Sequence, residues 1–219
     1  MLTWQEQHDI EQAVYPAYTE RAYGEMRQRL AAALTAGAAV LDAGSGPGTW
    51  LLRRHYADIH VAGLDLFRPQ PLPVGHYAIG SLDAIPYQSA LFDVVLCYDV
   101  VEHLAQPRQT FAEFWRVLKP GGLCVVKTPN LYGPSTLAAA VLPHAAHLAV
   151  HRGLGTREGS VFPTLFRCNT QASLALTLAA SGFVTEALYT VDETAGYFAF
   201  VPWSYALALL LATFPIARW

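Results

Sequence analysis

Three glycines at alternate positions, Gly44, Gly46 and Gly48, follow a short apolar run that ends in an acid, Val40-Leu41-Asp42. A run of that kind suits a buried parallel strand. Glycine admits positive φ and lets a ligand lie against bare backbone, so three of them after a strand predict a turn wrapped around something bound. The spacing is G-x-G-x-G. It differs from the G-x-G-x-x-G that presents a helix N-terminus to a pyrophosphate, and from the G-x-x-x-x-G-K-S/T of a phosphate loop. A ligand without phosphate is the expectation. Surface turns use the same residues, so the neighbouring motifs must support it.

Asp65 closes a second apolar run, His60–Leu64, twenty-one residues after Gly44. A carboxylate at about that separation is where a doubly wound sheet holds ribose hydroxyls. Two longer motifs follow, GSLDAIPYQSALFDVVLCYDVVEHL over Gly80–Leu104 and VLKPGGLCVVKTPN over Val117–Asn130. In this order the four motifs resemble a class I S-adenosylmethionine-dependent methyltransferase of the small, single-domain, type 11-like kind. The resemblance covers about Val40–Asn130.

It implies an α/β fold with a Rossmann-like, doubly wound, mostly parallel sheet and helices on both faces. S-adenosyl-L-methionine is the implied cofactor and S-adenosyl-L-homocysteine the product. The implied cofactor site comprises Asp42, Ala43, Gly44, Ser45, Gly46, Gly48, Asp65, Leu66, Ser81, Leu82, Asp83 and Tyr98. Asp83 suits the adenine amine, because a carboxylate only accepts hydrogen bonds and that amine donates.

The chain of 219 residues fits one domain. Within 1–219, a cofactor-binding core is expected at 36–130, an apolar lid or insertion at 131–168 and an apolar tail at 195–219. Charged residues are 14% of the chain, against a usual ~25%, so part of the surface must be apolar. A net charge of -3 without a Lys/Arg cluster speaks against a nucleic-acid partner. Cys97, Cys124 and Cys168 are odd in number and lack metal-ligand spacing, which fits a reducing cytoplasm. The N-terminal stretch has no apolar h-region, and no signal peptide is expected.

Residues 3–35 read as a helix ended by Gly37. Tyr15, Tyr18 and Tyr23 either reach over the cofactor or pack against the domain. A helix is expected from Thr49 to Tyr56. Pro69, Pro71 and Pro73 forbid one before the third strand, Tyr77–Ile79. The fourth strand is read at Phe92–Tyr98, a helix at Pro107–Leu118, a tight turn at Lys119–Gly122 and a fifth strand at Leu123–Thr128. From Thr128 to His151 there is no Asp, Glu, Lys or Arg; two short apolar helices, Ser135–Leu142 and His144–His151, are expected to cover the acceptor pocket. A helix at Gln171–Ser181, capped by Gly182, precedes a sixth strand at Val184–Val191. Thr194–Ala217 is again free of charge, with a closing strand at Tyr197–Val201 and an apolar helix from Trp203.

Methyl transfer is an in-line displacement, and positioning alone supplies ~7–11 kcal/mol of barrier lowering. His103, in Val-Val-Glu-His-Leu after the fourth strand, is read either as a general base or as a supporting or capping residue. Asp99 is read as a base, as an acceptor-binding group or as a solvated loop residue. His144, His147 and His151 share a helical face but lack a further ligand nearby, so no metal site is expected. The acceptor is expected to be a small molecule, apolar, lipid-linked or glycan-type. The two charge-free segments imply either peripheral contact with the inner membrane face or a homodimer surface. Two rival readings stand: a nicotinamide-dependent oxidoreductase, and a cofactor-binding scaffold without turnover.

Overall fold

The computed structural model describes residues 16–46, 58–68, 76–133, 136 and 162–191. Gly48, the expected helix Thr49–Tyr56, the proline-rich crossover, Tyr15, the two apolar helices with their histidines, and the tail lie outside these residues, as does the side chain of Tyr18. The chain divides into two compact units. One comprises 26–128 with 164–187; the other comprises 1–25, 129–163 and 188–219.

The first unit is built on one sheet. Its strands are β1 (Ala39–Ala43), β2 (His60–Asp65), β3 (His76–Ile79), β4 (Phe92–Tyr98) and β5 (Leu118–Lys127). The order is β3-β2-β1-β4-β5, and every pair is parallel. Among the described residues the helices are α1 (Pro16–Ala33), of which 26–33 belong to this unit, α2 (Pro107–Val117) and α3 (Gln171–Ala180). Alternation along the strands sends apolar residues to both faces. Val40, Val94 and Leu96 bury against Leu30 and Leu34 at the end of α1. Leu41, Leu64, Val95 and Cys97 bury on the other side with Phe111 and Phe114 of α2 and Leu174 of α3. Each fully buried phenylalanine contributes about 1.5–3 kcal/mol.

Local sequence explains the helix ends. Pro107 starts α2 where its missing N–H costs nothing. Thr110, Phe111, Phe114 and Val117 then recur on one buried face. Thr170 and Ser173 cap α3 reciprocally, each side chain meeting the other's backbone N–H at 3.1 Å. Gly182 follows at φ +94, and a Cβ there would meet the Trp115 ring at 3.1 Å.

Two expectations change. The Lys119–Gly122 turn is real, with Gly121 at φ +77, but it is a bulge inside β5. Phe92 faces Leu118 and Val94 faces Leu123, so the turn loops out opposite Asp93. The expected sixth strand, Val184–Val191, is not seen among the described residues, where 183–191 join no ladder. Val184 is 87% exposed, and Glu186 pairs with Arg29 of α1 at 3.5 Å. β-branched residues favour extension, but a strand also needs a partner edge.

In the second unit, Tyr189 donates its hydroxyl to Glu25. Gly133 N–H donates to Asn130 O at 2.8 Å, closing a turn.

Candidate functional site

The strand order reverses between β1 and β4, which makes their carboxyl ends the switch point where open α/β sheets bind ligands. Every described residue of the expected site lies along that edge. Asp42 and Ala43 end β1, Asp65 ends β2, Ser81–Asp83 follow β3, and Tyr98 and Asp99 leave β4. A 3-10 turn, Val101–His103, comes next.

The glycine turn leans towards β2. Gly44 and Ser45 donate their N–H groups to Leu64 O at 2.7 and 3.1 Å. Gly46 donates to Asp65 Oδ2 at 2.9 Å. The two described glycines serve different ends. A Cβ on Gly44, at φ +74, would run into the side chain of Val100. A Cβ on Gly46, at φ +46, would meet no described atom within 4 Å. Gly44 therefore lets the turns after β1 and β4 close on each other, whereas Gly46 is crowded by no described residue. Beyond Asp65, Leu66 and Phe67 are 56% and 62% exposed.

The edge is electronegative. Asp42 is 2% exposed. Burial pushes the Tyr98 hydroxyl up to about 12, and the carboxylates of Asp42 and Asp99 add to the rise. Burial also raises Tyr77, opposed by the neighbouring Ser45 hydroxyl and reinforced by Asp65 and Asp42. Lys127 approaches Asp99 at 3.7 Å. Glu102 is buried, and His103 Nε2 stands 3.7 Å from its Oε1.

Asp83 is also engaged within the chain. Thr110 of α2 donates its hydroxyl to Asp83 Oδ1, and Gln109 Nε2 donates to Asp83 O at 2.9 Å. One carboxylate oxygen thus fastens the loop after β3 to α2. Ser81, exposed beside it, accepts from Asp83 N–H at 3.2 Å. Thr110, Val100, Tyr77, Thr128 and Asn169 escape sequence reasoning, because each acquires its role from a distant partner. Among the described residues, no group of three His, Cys, Asp or Glu side chains could hold a metal ion.

A family profile described as a methyltransferase domain matches residues 15–188. The chain belongs to the methyltransferase-domain family. Within that family, a relative from Mycolicibacterium smegmatis named a "probable S-adenosylmethionine-dependent methyltransferase" is 36% identical over 123 residues, 52% of this chain and 46% of that protein. A malonyl-acyl-carrier-protein O-methyltransferase from Salmonella typhimurium is 31% identical over 97 residues, 42% of this chain and 39% of the relative. The match thus spans less than half the length of these curated relatives. Among solved structures, the geranyl diphosphate C-methyltransferase of Streptomyces coelicolor, crystallised with Mg2+, geranyl diphosphate and S-adenosyl-L-homocysteine, aligns at a TM-score of 0.52 and 15% identity. The alignment covers 88% of this chain and 74% of that one. That likeness establishes the methyltransferase fold.

Proposed function

We propose that the protein is an S-adenosylmethionine-dependent methyltransferase acting on a small, apolar or lipid-linked acceptor. The observation that carries the reading is the acidic sheet edge: Asp42, Asp65 and Asp99 stand around a glycine turn whose Gly46 is crowded by no described residue. This cofactor carries a sulfonium and an ammonium group, which suit such an edge. A nicotinamide dinucleotide would bring a pyrophosphate against the same carboxylates.

The donor set fits the cofactor part by part. Asp65 serves the ribose hydroxyls, and the backbone from Gly44 to Gly46 with Asp42 serves the amino-acid end. Ser81 and Leu82 border the adenine, and Tyr98 lines the face beside Asp42. When bound, the cofactor supplies an electrophilic methyl carbon. The residues at the end of β4 hold the acceptor in line with it, which is where most of the barrier lowering arises. His103 takes a proton where the acceptor atom carries one.

The acceptor class is supported by the relatives, whose names specify a malonyl-acyl-carrier protein and geranyl diphosphate as acceptors. The charge-free segments at 128–151 and 194–217 extend this to an enzyme working from the cytoplasm against the inner membrane face. Among the described residues, no helix is long and apolar enough to cross a membrane. Calorimetry with S-adenosyl-L-homocysteine and with NAD tests the cofactor: the first should bind and the second should not. Transfer of labelled methyl groups into a lipid extract tests the acceptor, and flotation with anionic vesicles tests the membrane contact. A dimer that stays with the soluble fraction would overturn the last of these.

A further inference from the structure

A carboxylate buried at the edge of an apolar core needs compensating partners. Glu102, 5% exposed, has them from two other parts of the chain. Thr128, just past β5, donates its hydroxyl to Glu102 Oε2 at 2.8 Å. Asn169, just before α3, donates Nδ2 to Thr128 Oγ1 at 2.6 Å. Leu165 and Phe166 donate their N–H groups to Glu102 O at 2.6 and 3.0 Å. Phe166 holds φ +49 there, an uncommon conformation for a bulky side chain.

The polarity of the relay follows from the groups themselves. An ionised carboxylate only accepts, and Thr128 has one hydroxyl hydrogen to give it. Asn169 must therefore turn its N–H, not its oxygen, towards Thr128. With Oε2 held, Oε1 lies 3.7 Å from His103 Nε2, at ion-pair rather than hydrogen-bond distance.

We infer that Thr128 and Asn169 are positioning residues for His103, acting on it through Glu102. The two groups lie within ion-pair distance, so where the Glu102 carboxylate is held sets the field at the imidazole. What His103 does in that field rests on the methyltransferase reading; the coupling itself is a property of the fold. The electrostatics agree. Burial raises the Glu102 carboxyl, opposed by its backbone hydrogen bond, the Thr128 hydroxyl and His103, while Asp99 adds to the rise. His103 and Asp99 are the titratable groups facing it; the 164–170 segment contributes amides.

The test is an NMR titration of the full chain, following the Glu102 side-chain carboxyl carbon and the His103 ring nitrogens together. In wild type, the His103 ring signals should inflect at the Glu102 midpoint. Thr128→Val should move that midpoint upwards and carry the His103 inflection with it; Thr128→Ser should restore both. Asn169→Ala should shift them in the same direction by less, and Glu102→Gln should remove the inflection. Unchanged S-adenosyl-L-homocysteine affinity in Thr128→Val would show that the variant is folded. If Glu102 moves in Thr128→Val while the His103 signals superimpose on wild type at every pH, the relay is only a structural brace and the inference fails. A wild type that shows the coupling yet binds no S-adenosyl-L-homocysteine would sink the methyltransferase reading and leave the relay standing.

Discussion

Gly46 donates its backbone N–H to Asp65 Oδ2 across 2.9 Å, which ties the turn after β1 to the carboxylate closing β2. Asp65 therefore shapes the turn and still has lone pairs to offer a ligand, since a carboxylate accepts about four hydrogen bonds. Losing bonds to a charged group costs ~1.5–3 kcal/mol, on the order of ten- to a hundred-fold in affinity. Asp65→Ala should weaken S-adenosyl-L-homocysteine binding by that factor in calorimetry. Asp65→Asn should fall between, because its amide oxygen still accepts from Gly46. Asp58→Ala, outside the site, should bind like wild type. Equal affinities for wild type and Asp65→Ala would remove Asp65 from the cofactor site.

The two described glycines of the turn should fail in different ways. A left-handed backbone costs a non-glycine residue ~1–3 kcal/mol, and Gly44→Ala adds a clash with Val100. At about 2–4 °C per kcal/mol for a chain of this size, its Tm should drop clearly, and Val100→Ala should recover part of the loss. Gly46→Val faces open space among the described residues. It should lose less stability but abolish cofactor binding. Normal binding by that variant would make the turn a purely structural device.

Glu102 should cost the fold stability at neutral pH. Its carboxyl is raised by burial, so the folded state holds its proton to higher pH than the unfolded chain does. Stability is then lost as pH rises from the unfolded value through the folded one. Glu102→Gln keeps an acceptor for Thr128 without the buried charge, and should raise Tm at pH 7. The gain should shrink on acidification, as wild-type Glu102 becomes neutral. Thermal melts across pH check this, and a gain that grows in acid would contradict it.

His103 should matter to turnover and little to cofactor binding. General-base assistance is worth ~10²–10⁴ in rate. With an acceptor from the labelled-extract assay, His103→Ala should lower kcat by at least the smaller factor while S-adenosyl-L-homocysteine affinity holds. A loss of only a few-fold would leave alignment of the reactants as the source of the rate.

What the sequence determined by itself are the features written in neighbouring residues. The run Phe92–Tyr98 is β4 to the residue, because seven consecutive positions carry strand character whatever surrounds them. Asp42, Gly44 and Gly46 fall at the carboxyl edge, because an acid and glycines directly after a buried strand have no other place to go. Val184–Val191 shows where this ends: its β-branched residues set a preference for extension, yet among the described residues it pairs with no strand. Tertiary structure alone decided the partners. Asp83 meets Thr110 across 27 residues, Thr128 meets Asn169 across 41, and Gly44 lies against Val100. Backbone conformation depends on adjacent residues and is readable locally. Which hydroxyl reaches which carboxylate depends on the order of strands in the sheet, and that order is set by burying both of its faces at once.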